Sequence, residues 1–268
     1  MPTPPSDAVA SPYHSGTRFD FAVGDHRFVI AQPAQPANGR PWIWRPEFFG
    51  AFDAVDAALL QRGWHVAHCP SAAGRFGSPG AVDEWDACYH YLTYEWNLCD
   101  RFVAEGFSRG GLLACNFAYR FPQRVLAMYN DAPVLDIRSW PGGFRAGKKG
   151  PGDAACWPQC LAAYGLDEHT VLDFHDNPLD RAQTLAASGI PAIHVVGDID
   201  AVVPVEENTA IFEQNYHAPG STPGSTPGST SGGTIRVIHK PDCDHHPHSL
   251  EDPTPVVDFL LDIWNTRR

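Results

Sequence analysis

The 268-residue chain reads as an α/β fold: a mostly parallel sheet with helices on both faces and a small cap insertion. Three observations predict it. Short apolar runs alternate with longer segments of helical period along most of the chain. That rhythm breaks between Ala132 and Ser188, where Pro141-Gly142-Gly143, Gly147, Gly150-Pro151-Gly152 and Pro158 mark loops and short helices, and it resumes at Ile190. Finally, Gly106-Phe107-Ser108-Arg109-Gly110 turns a strand-like run directly into a helix-like one.

Taken in order, Arg18 to Val23 and Arg27 to Ala31 form a hairpin turned at Gly24-Asp25. After the loop Gln32 to Arg40, Pro41-Trp42-Ile43-Trp44-Arg45 is a short buried strand. Ala51 to Arg62 has one apolar helical face and stops at Gly63. Trp64 to His68 is the next strand. Val82 to Leu98 is a long helix whose aromatic stripe (Trp85, Tyr89, Leu92, Trp96) reads as packing. The strand Arg101 to Ala104, the helix from Gly111 to Arg120 and the strand Val125 to Tyr129 follow. Beyond the break come the strand Ile190 to Val196, the helix Val205 to Tyr216, the strand Thr234 to His239 and a closing amphipathic helix, Pro255 to Thr266.

The expected organisation is one domain over residues 17–268, preceded by a disordered lead of residues 1–16 rich in Pro, Ser and Ala. An insertion over residues 133–188 would lie across the carboxyl ends of the strands as a cap, where open α/β sheets bind ligands. Residues 219–233 repeat Pro-Gly-Ser-Thr, a composition that builds no core and predicts a flexible loop.

A net charge of −12 argues against a general nucleic-acid binder. No run approaches a membrane span, and the lead lacks the basic start and apolar block of a secretory signal, so the expected compartment is cytoplasmic. Seven cysteines, an odd number scattered over the chain, read as reduced thiols, with Cys156 and Cys160 the one pair near enough to consider for a bridge. Neither a cofactor nor a metal is expected, and the oligomeric state is not encoded in any motif.

The chemistry begins at Ser108. Strand, G-x-S-x-G, helix is the setting of a nucleophile elbow, in which a strained turn holds the serine hydroxyl exposed above the sheet. A serine hydroxyl is inert near neutral pH until a base takes its proton and a third group orients that base. An acid is expected after a late strand, and Gly197-Asp198-Ile199-Asp200-Ala201-Val202-Val203-Pro204 supplies Asp200. Asp198 is its local rival and Asp131, after the preceding strand, its distant one. The base is expected after the last strand, in Asp244-His245-His246-Pro247-His248, with His245 first and His246 second. Three clustered histidines also raise a metal site, but a triad explains their position without one.

The order Ser108, Asp200, His245 resembles that of the serine α/β-hydrolases, and the likeness runs from about Phe19 to Trp264. Gly-Phe-Ser-Arg-Gly-Gly, Gly-Asp-Ile-Asp-Ala-Val-Val-Pro and His-His-Pro-His-Ser-Leu are each similar to one of that family's three catalytic turns. Pro-Trp-Ile-Trp-Arg-Pro-Glu-Phe-Phe-Gly and the histidine turn also resemble a bacterial subgroup associated with carbohydrate esterases. The resemblance implies an α/β-hydrolase fold and ester hydrolysis through an acyl-enzyme. It also implies a small-molecule or saccharide ester as partner, acylated or methyl-esterified, with a small serine peptidase or a non-catalytic binding homologue as alternatives.

The chain departs from the family at Trp44-Arg45-Pro46-Glu47, which stands where many members carry His-Gly. Pro46 has no N–H to donate. The oxyanion hole is therefore expected from the backbone of Arg109 with that of Arg45 or Glu47. Substrate contacts are expected from Trp44, Glu47, Trp140, Lys148 and Lys149. Arg138, Arg145, Lys148 and Lys149 form a cationic run in an acidic chain, read either as a solvated face or as a mouth that attracts acidic substrates, with Trp140 and Trp157 nearby as flat surfaces for a sugar ring.

Overall fold

The computed structural model describes residues 4–145, 148–149, 152–217 and 233–267, the side chains of 145, 148 and 149 excepted. In chain order the elements are β1 (Val9–Tyr13), β2 (Gly16–Val23), β3 (His26–Pro33), β4 (Trp42–Arg45), α1 (Ala54–Gln61), β5 (His65–His68), α2 (Pro79–Tyr94), β6 (Phe102–Phe107) and α3 (Gly110–Arg120). Then follow β7 (Val125–Asp131), β8 (Phe144–Arg145), β9 (Lys148–Lys149), α4 (Cys156–Tyr164), α5 (Ala182–Ala187), β10 (Ala192–Gly197), α6 (Thr209–Tyr216), β11 (Ile235–Lys240) and α7 (Thr254–Arg267).

Nine strands form one sheet in the order β1-β2-β3-β5-β4-β6-β7-β10-β11. The first three and the β3–β5 junction are antiparallel; every pairing from β5 through β11 is parallel. β8 and β9 pair antiparallel, apart from that sheet. Among the described residues no helix is long and apolar enough to cross a membrane. The seven cysteines are free thiols.

Period-two alternation sorts the strands onto two cores. Trp42 and Trp44 of β4, with Phe102 and Ala104 of β6, point to the face covered by α2, α3, α5 and α6. Ile43, Val66, Val103 and Val195 point to the face covered by α1 and α7, against Val55, Leu59, Val257, Leu260 and Trp264. The aromatic stripe of α2 is packing: Trp85 stacks on Trp44 at 4.1 Å, and Trp96 stacks on Phe21 at 5.8 Å.

Two expectations are corrected. Residues 9–13 are not part of a disordered lead but form β1, in register from Val9↔Asp20 to Tyr13↔Gly16. Tyr13 fixes this edge strand by stacking on Phe49 at 5.2 Å and donating to Asp53 at 2.8 Å. Its Pro and Ser content hid it, because an edge strand tolerates proline. The last part of the stretch read as a cap also differs: α5 packs Ala182, Leu185 and Ala186 into the main core. Of the repetitive stretch 219–233, all but Gly233 lies outside the described residues.

His194 of β10 lies in this core with no exposure. Its Nε2 accepts from Asn130 at 3.0 Å and its Nδ1 donates to Thr209 at 3.1 Å, so the ring is neutral. Burial pushes it down to about 3. A group whose folded value is depressed contributes stability that is complete above its unfolded value and is lost as pH falls. Between about pH 6.5 and pH 3 this histidine should therefore cost about 1.4 kcal/mol per pH unit. Urea unfolding of His194→Gln at several pH values should give a shallower acid slope than the parent; identical slopes would refute this account.

Candidate active site

β6 leaves the sheet at Phe107, and α3 starts at Gly110, so the chain reverses in two residues. Ser108 takes φ +49° to make that turn, a left-handed conformation that is costly for a residue with a Cβ. Hydrogen bonds over-determine it: Ser108 N donates to Asp131 O at 2.9 Å, while Ser108 O accepts from Gly111 at 3.0 Å and Val134 at 2.9 Å. Two glycines admit the turn. A Cβ on Gly106 would lie 2.3 Å from Asn130 Oδ1 and 2.8 Å from Gly111 Cα, and one on Gly111 would lie 2.6 Å from Pro133. Gly110, the second glycine of the pentapeptide, is less tightly enclosed, its nearest neighbour being Pro46 at 3.1 Å.

The serine hydroxyl lies 3.0 Å from His245 Nε2, and His245 Nδ1 lies 2.8 Å from Asp200 Oδ2. Both partners are buried, whereas Ser108 is half-buried with its oxygen at the carboxyl edge of the sheet. Asp200 is held by the amides of Val202 at 2.9 Å and Val203 at 2.7 Å, both donating to Oδ1. Oδ2 is left for the imidazole. Asp244 joins the two loops: its Oδ1 accepts from Ala201 N at 2.8 Å and from His245 N at 2.7 Å. Those amides hold its carboxyl below the usual range. Lys240 secures the rest of the histidine turn by donating to the carbonyls of Pro247 and Ser249.

The rivals are occupied elsewhere. Asp198 pairs with exposed His239 at 2.6 Å. Asp131 is buried at the end of β7 and holds His248 Nδ1 at 2.7 Å and Ser249 N at 2.9 Å. It braces the histidine turn, a role that its place before the insertion did not suggest. His246 is exposed and stacks on Phe52 at 5.8 Å. Loss of solvent, then the neighbouring His248 and His245, keep its pKa below the usual histidine range.

Below the site, Arg45 is buried with no exposure. It donates to Asp56 at 2.8 Å, to Glu47 O at 3.1 Å and to Ala51 O, and lies 4.3 Å from the ring centre of Phe107. Burial, then the adjacent Asp56, pushes the Glu105 carboxyl well above its ordinary range. Burial raises the Asp56 carboxyl too, against the pull of the adjacent Arg45. Arg45 therefore fixes the loop after β4 through its side chain, and its backbone ends the strand opposite His68. Among the described residues, the N–H groups of Arg109 and Glu47 donate to no protein acceptor. Glu47, one of the two expected second donors, thus has its N–H unengaged by the described residues.

Other expected substrate contacts are corrected. Trp44 is in the core with no exposure, because β4 is covered on both faces. Glu47 is 6% exposed, its carboxylate taken by Arg109 at 3.0 Å and Gly74 N at 2.6 Å. Trp157 is buried and donates to Glu168 at 2.8 Å. Arg138 is paired with Asp136 at 2.7 Å, which removes the first cation of the basic run. Trp140 stays half-buried beside Phe76, with 6.2 Å between ring centres. The backbones of Lys148 and Lys149 lie in β9; their side chains are outside the described residues. Sequence reasoning missed Asp244 and Gly111. An Asp directly before a candidate base, and a third glycine after the elbow, were the available signals.

Replacing Arg45 by Met leaves Asp56 buried without its partner, and should cost about 3–5 kcal/mol in urea unfolding. Adding Asp56→Leu should recover most of that loss. A double variant no more stable than the single one would remove the ion pair from the account.

No family model matches the chain, and no curated protein matches it. Solved structures do. Est1E from Butyrivibrio proteoclasticus superposes with a TM-score of 0.61 at 17% identity, covering 94% of this chain and 100% of that one. An alpha/beta hydrolase enzyme, MGS-MChE2, from a metagenome of sediments of the Mar Chica lagoon, Morocco, gives 0.54 at 15% identity, covering 92% and 98%. A puromycin hydrolase gives 0.64 at 18% identity, covering 98% of this chain but 41% of that longer one. Strand order, the elbow after β6 and these superpositions together show that the chain has the α/β-hydrolase fold.

Proposed function

We propose that this chain is a serine hydrolase that cleaves a carboxylic ester through an acyl-enzyme. The observation that carries this reading is the line from Ser108 Oγ to His245 Nε2 to Asp200 Oδ2, at 3.0 and 2.8 Å. With Nδ1 donating to Asp200, Nε2 holds the lone pair that takes the serine proton. Ser108 Oγ then bonds to the ester carbon, and the carbonyl oxygen becomes an oxyanion. The amides of Arg109 and Glu47 supply its donors, each worth about 3 kcal/mol in such a site. Collapse expels the alcohol, which takes the proton from His245. Water, deprotonated by the same imidazole, releases the acid and restores Ser108.

A saccharide ester, acylated or methyl-esterified, keeps one supporting observation, the half-buried face of Trp140. Peptide-bond cleavage is a second reading, favoured by the fit to a puromycin hydrolase over 98% of this chain. A panel of aryl, acetyl-sugar and methyl-uronate esters beside aminoacyl anilides separates them. We expect turnover of esters over anilides; the reverse order would move the reading to peptidases.

Ser108→Ala should abolish both ester turnover and fluorophosphonate labelling while circular dichroism stays native. Activity above about a thousandth of the parent would be incompatible with a serine nucleophile.

Asp200→Asn should lower kcat by about ten-thousandfold, because the imidazole loses its tautomer and the stabiliser of its cation. Asp131→Asn should chiefly lower Tm, since it loosens the histidine turn, and should keep far more of kcat. If Asp131→Asn is the crippling change and Asp200→Asn nearly silent, the assignment of the acid is wrong.

A further inference from the structure

The turn after β11 carries more imidazole than a triad uses. One ring nitrogen from each of His245, His246 and His248 lies within 4.8 Å of the other two. The rings meet edge to face, with centroids 4.7, 4.8 and 5.0 Å apart. His245 Nδ1 is committed to Asp200 and His248 Nδ1 to Asp131, at 2.8 and 2.7 Å. Each of those two rings therefore turns Nε2 away from its carboxylate as the nitrogen with a lone pair. His246 makes no side-chain hydrogen bond among the described residues and is exposed.

Imidazole backed by a carboxylate is how metal-ligating histidines are usually held: the carboxylate fixes the tautomer and raises the basicity of the other nitrogen. Here the end of β7 supplies one such carboxylate and the loop after β10 the other, both to the same cluster. Three nitrogen ligands suit a borderline divalent ion such as Zn2+, with a fourth position for water. Metal–nitrogen bonds of about 2.0–2.1 Å require ligand nitrogens about 3.3 Å apart, so the cluster must close by roughly 1 Å or somewhat more. His246, the exposed ring, is the one placed to move.

We infer that His245, His246 and His248 form a site for Zn2+ or a similar transition-metal ion, and that its occupation switches the hydrolase off. Coordination uses the Nε2 lone pair of His245. The hydrogen bond from Ser108 breaks, the proton stays on the serine oxygen, and water leaves the ion as the imidazoles bind. No oxidation state changes. The switching half rests on the triad proposed above; the binding half does not.

The two halves are tested apart. Chelator-stripped full-length Ser108→Ala protein, dialysed against micromolar ZnCl2, should retain one equivalent of zinc, and adding His246→Gln should weaken binding about tenfold or more. His246 is chosen because it is exposed, so its loss spares the fold. His26, Glu84 and Cys88 form another candidate cluster, and His26→Gln is the control. CoCl2 should give visible d–d bands without thiolate charge transfer. Absence of retained zinc, loss of binding in His26→Gln but not in His246→Gln, or a thiolate band would overturn the site. In the active protein, ZnCl2 should inhibit ester turnover reversibly by chelator. His246→Gln, scored against its own metal-free rate, should need about tenfold more. Zinc bound at this cluster without inhibition would overturn the switch. Protein inactive on every ester even when metal-free would instead sink the hydrolase reading, leaving the dialysis result to judge the metal.

Discussion

A guanidinium buried below the carboxyl edge of the sheet sets the constraint on which the rest is built. Removing Arg45 from water costs several kcal/mol unless its donors are met, and the fold meets them with a carboxylate of α1, two carbonyls of the β4–α1 loop and an aromatic ring of β6. Each of those partners is thereby located relative to the others. The loop cannot wander without exposing or stranding the charge. Glu47 extends the order upward, since it grips both Arg109 and the Gly74 amide. The backbone around Glu47 is thus fixed from beneath by ion pairing rather than by a glycine-rich turn.

The carboxyl edge of the sheet is organised by two parallel aspartate–histidine pairs. Asp200 and Asp131 leave neighbouring strands, and each captures one histidine of the same short turn. One pair points at the serine; the other holds the turn against the sheet. The strained elbow is tolerable because it is pinned by both β7 and the start of the following loop. The strained serine, Asp200 and His245 are thus all referred to one edge.

Much of this was legible in the sequence because it follows from order and period. The alternation of apolar runs located the parallel strands, and the elbow pentapeptide, Asp200 and His245 fell at their ends because strands in this topology present their carboxyl ends on one side. What was hidden depends on parity and pairing. Trp44 looked like a binding surface, but a central strand is covered on both faces, so neither parity of β4 reaches solvent. Glu47 looked available, but its partners are 27 and 62 residues away in sequence. β1 was invisible since its composition is that of a linker and its order comes from β2. Asp131 was read as a rival acid, and its actual partner, 117 residues on, could not be inferred locally.

Asp244 ties the loop after β10 to the loop after β11 through one oxygen. The spacing of Asp200 and His245 is therefore set at that junction, and not by how the chain enters β11. Entry occurs at Ile235, six residues and about 20 Å of extended backbone from the end that carries His245's turn. The bonds that join Asp200's loop to His245's lie at the opposite end of β11 from that entry.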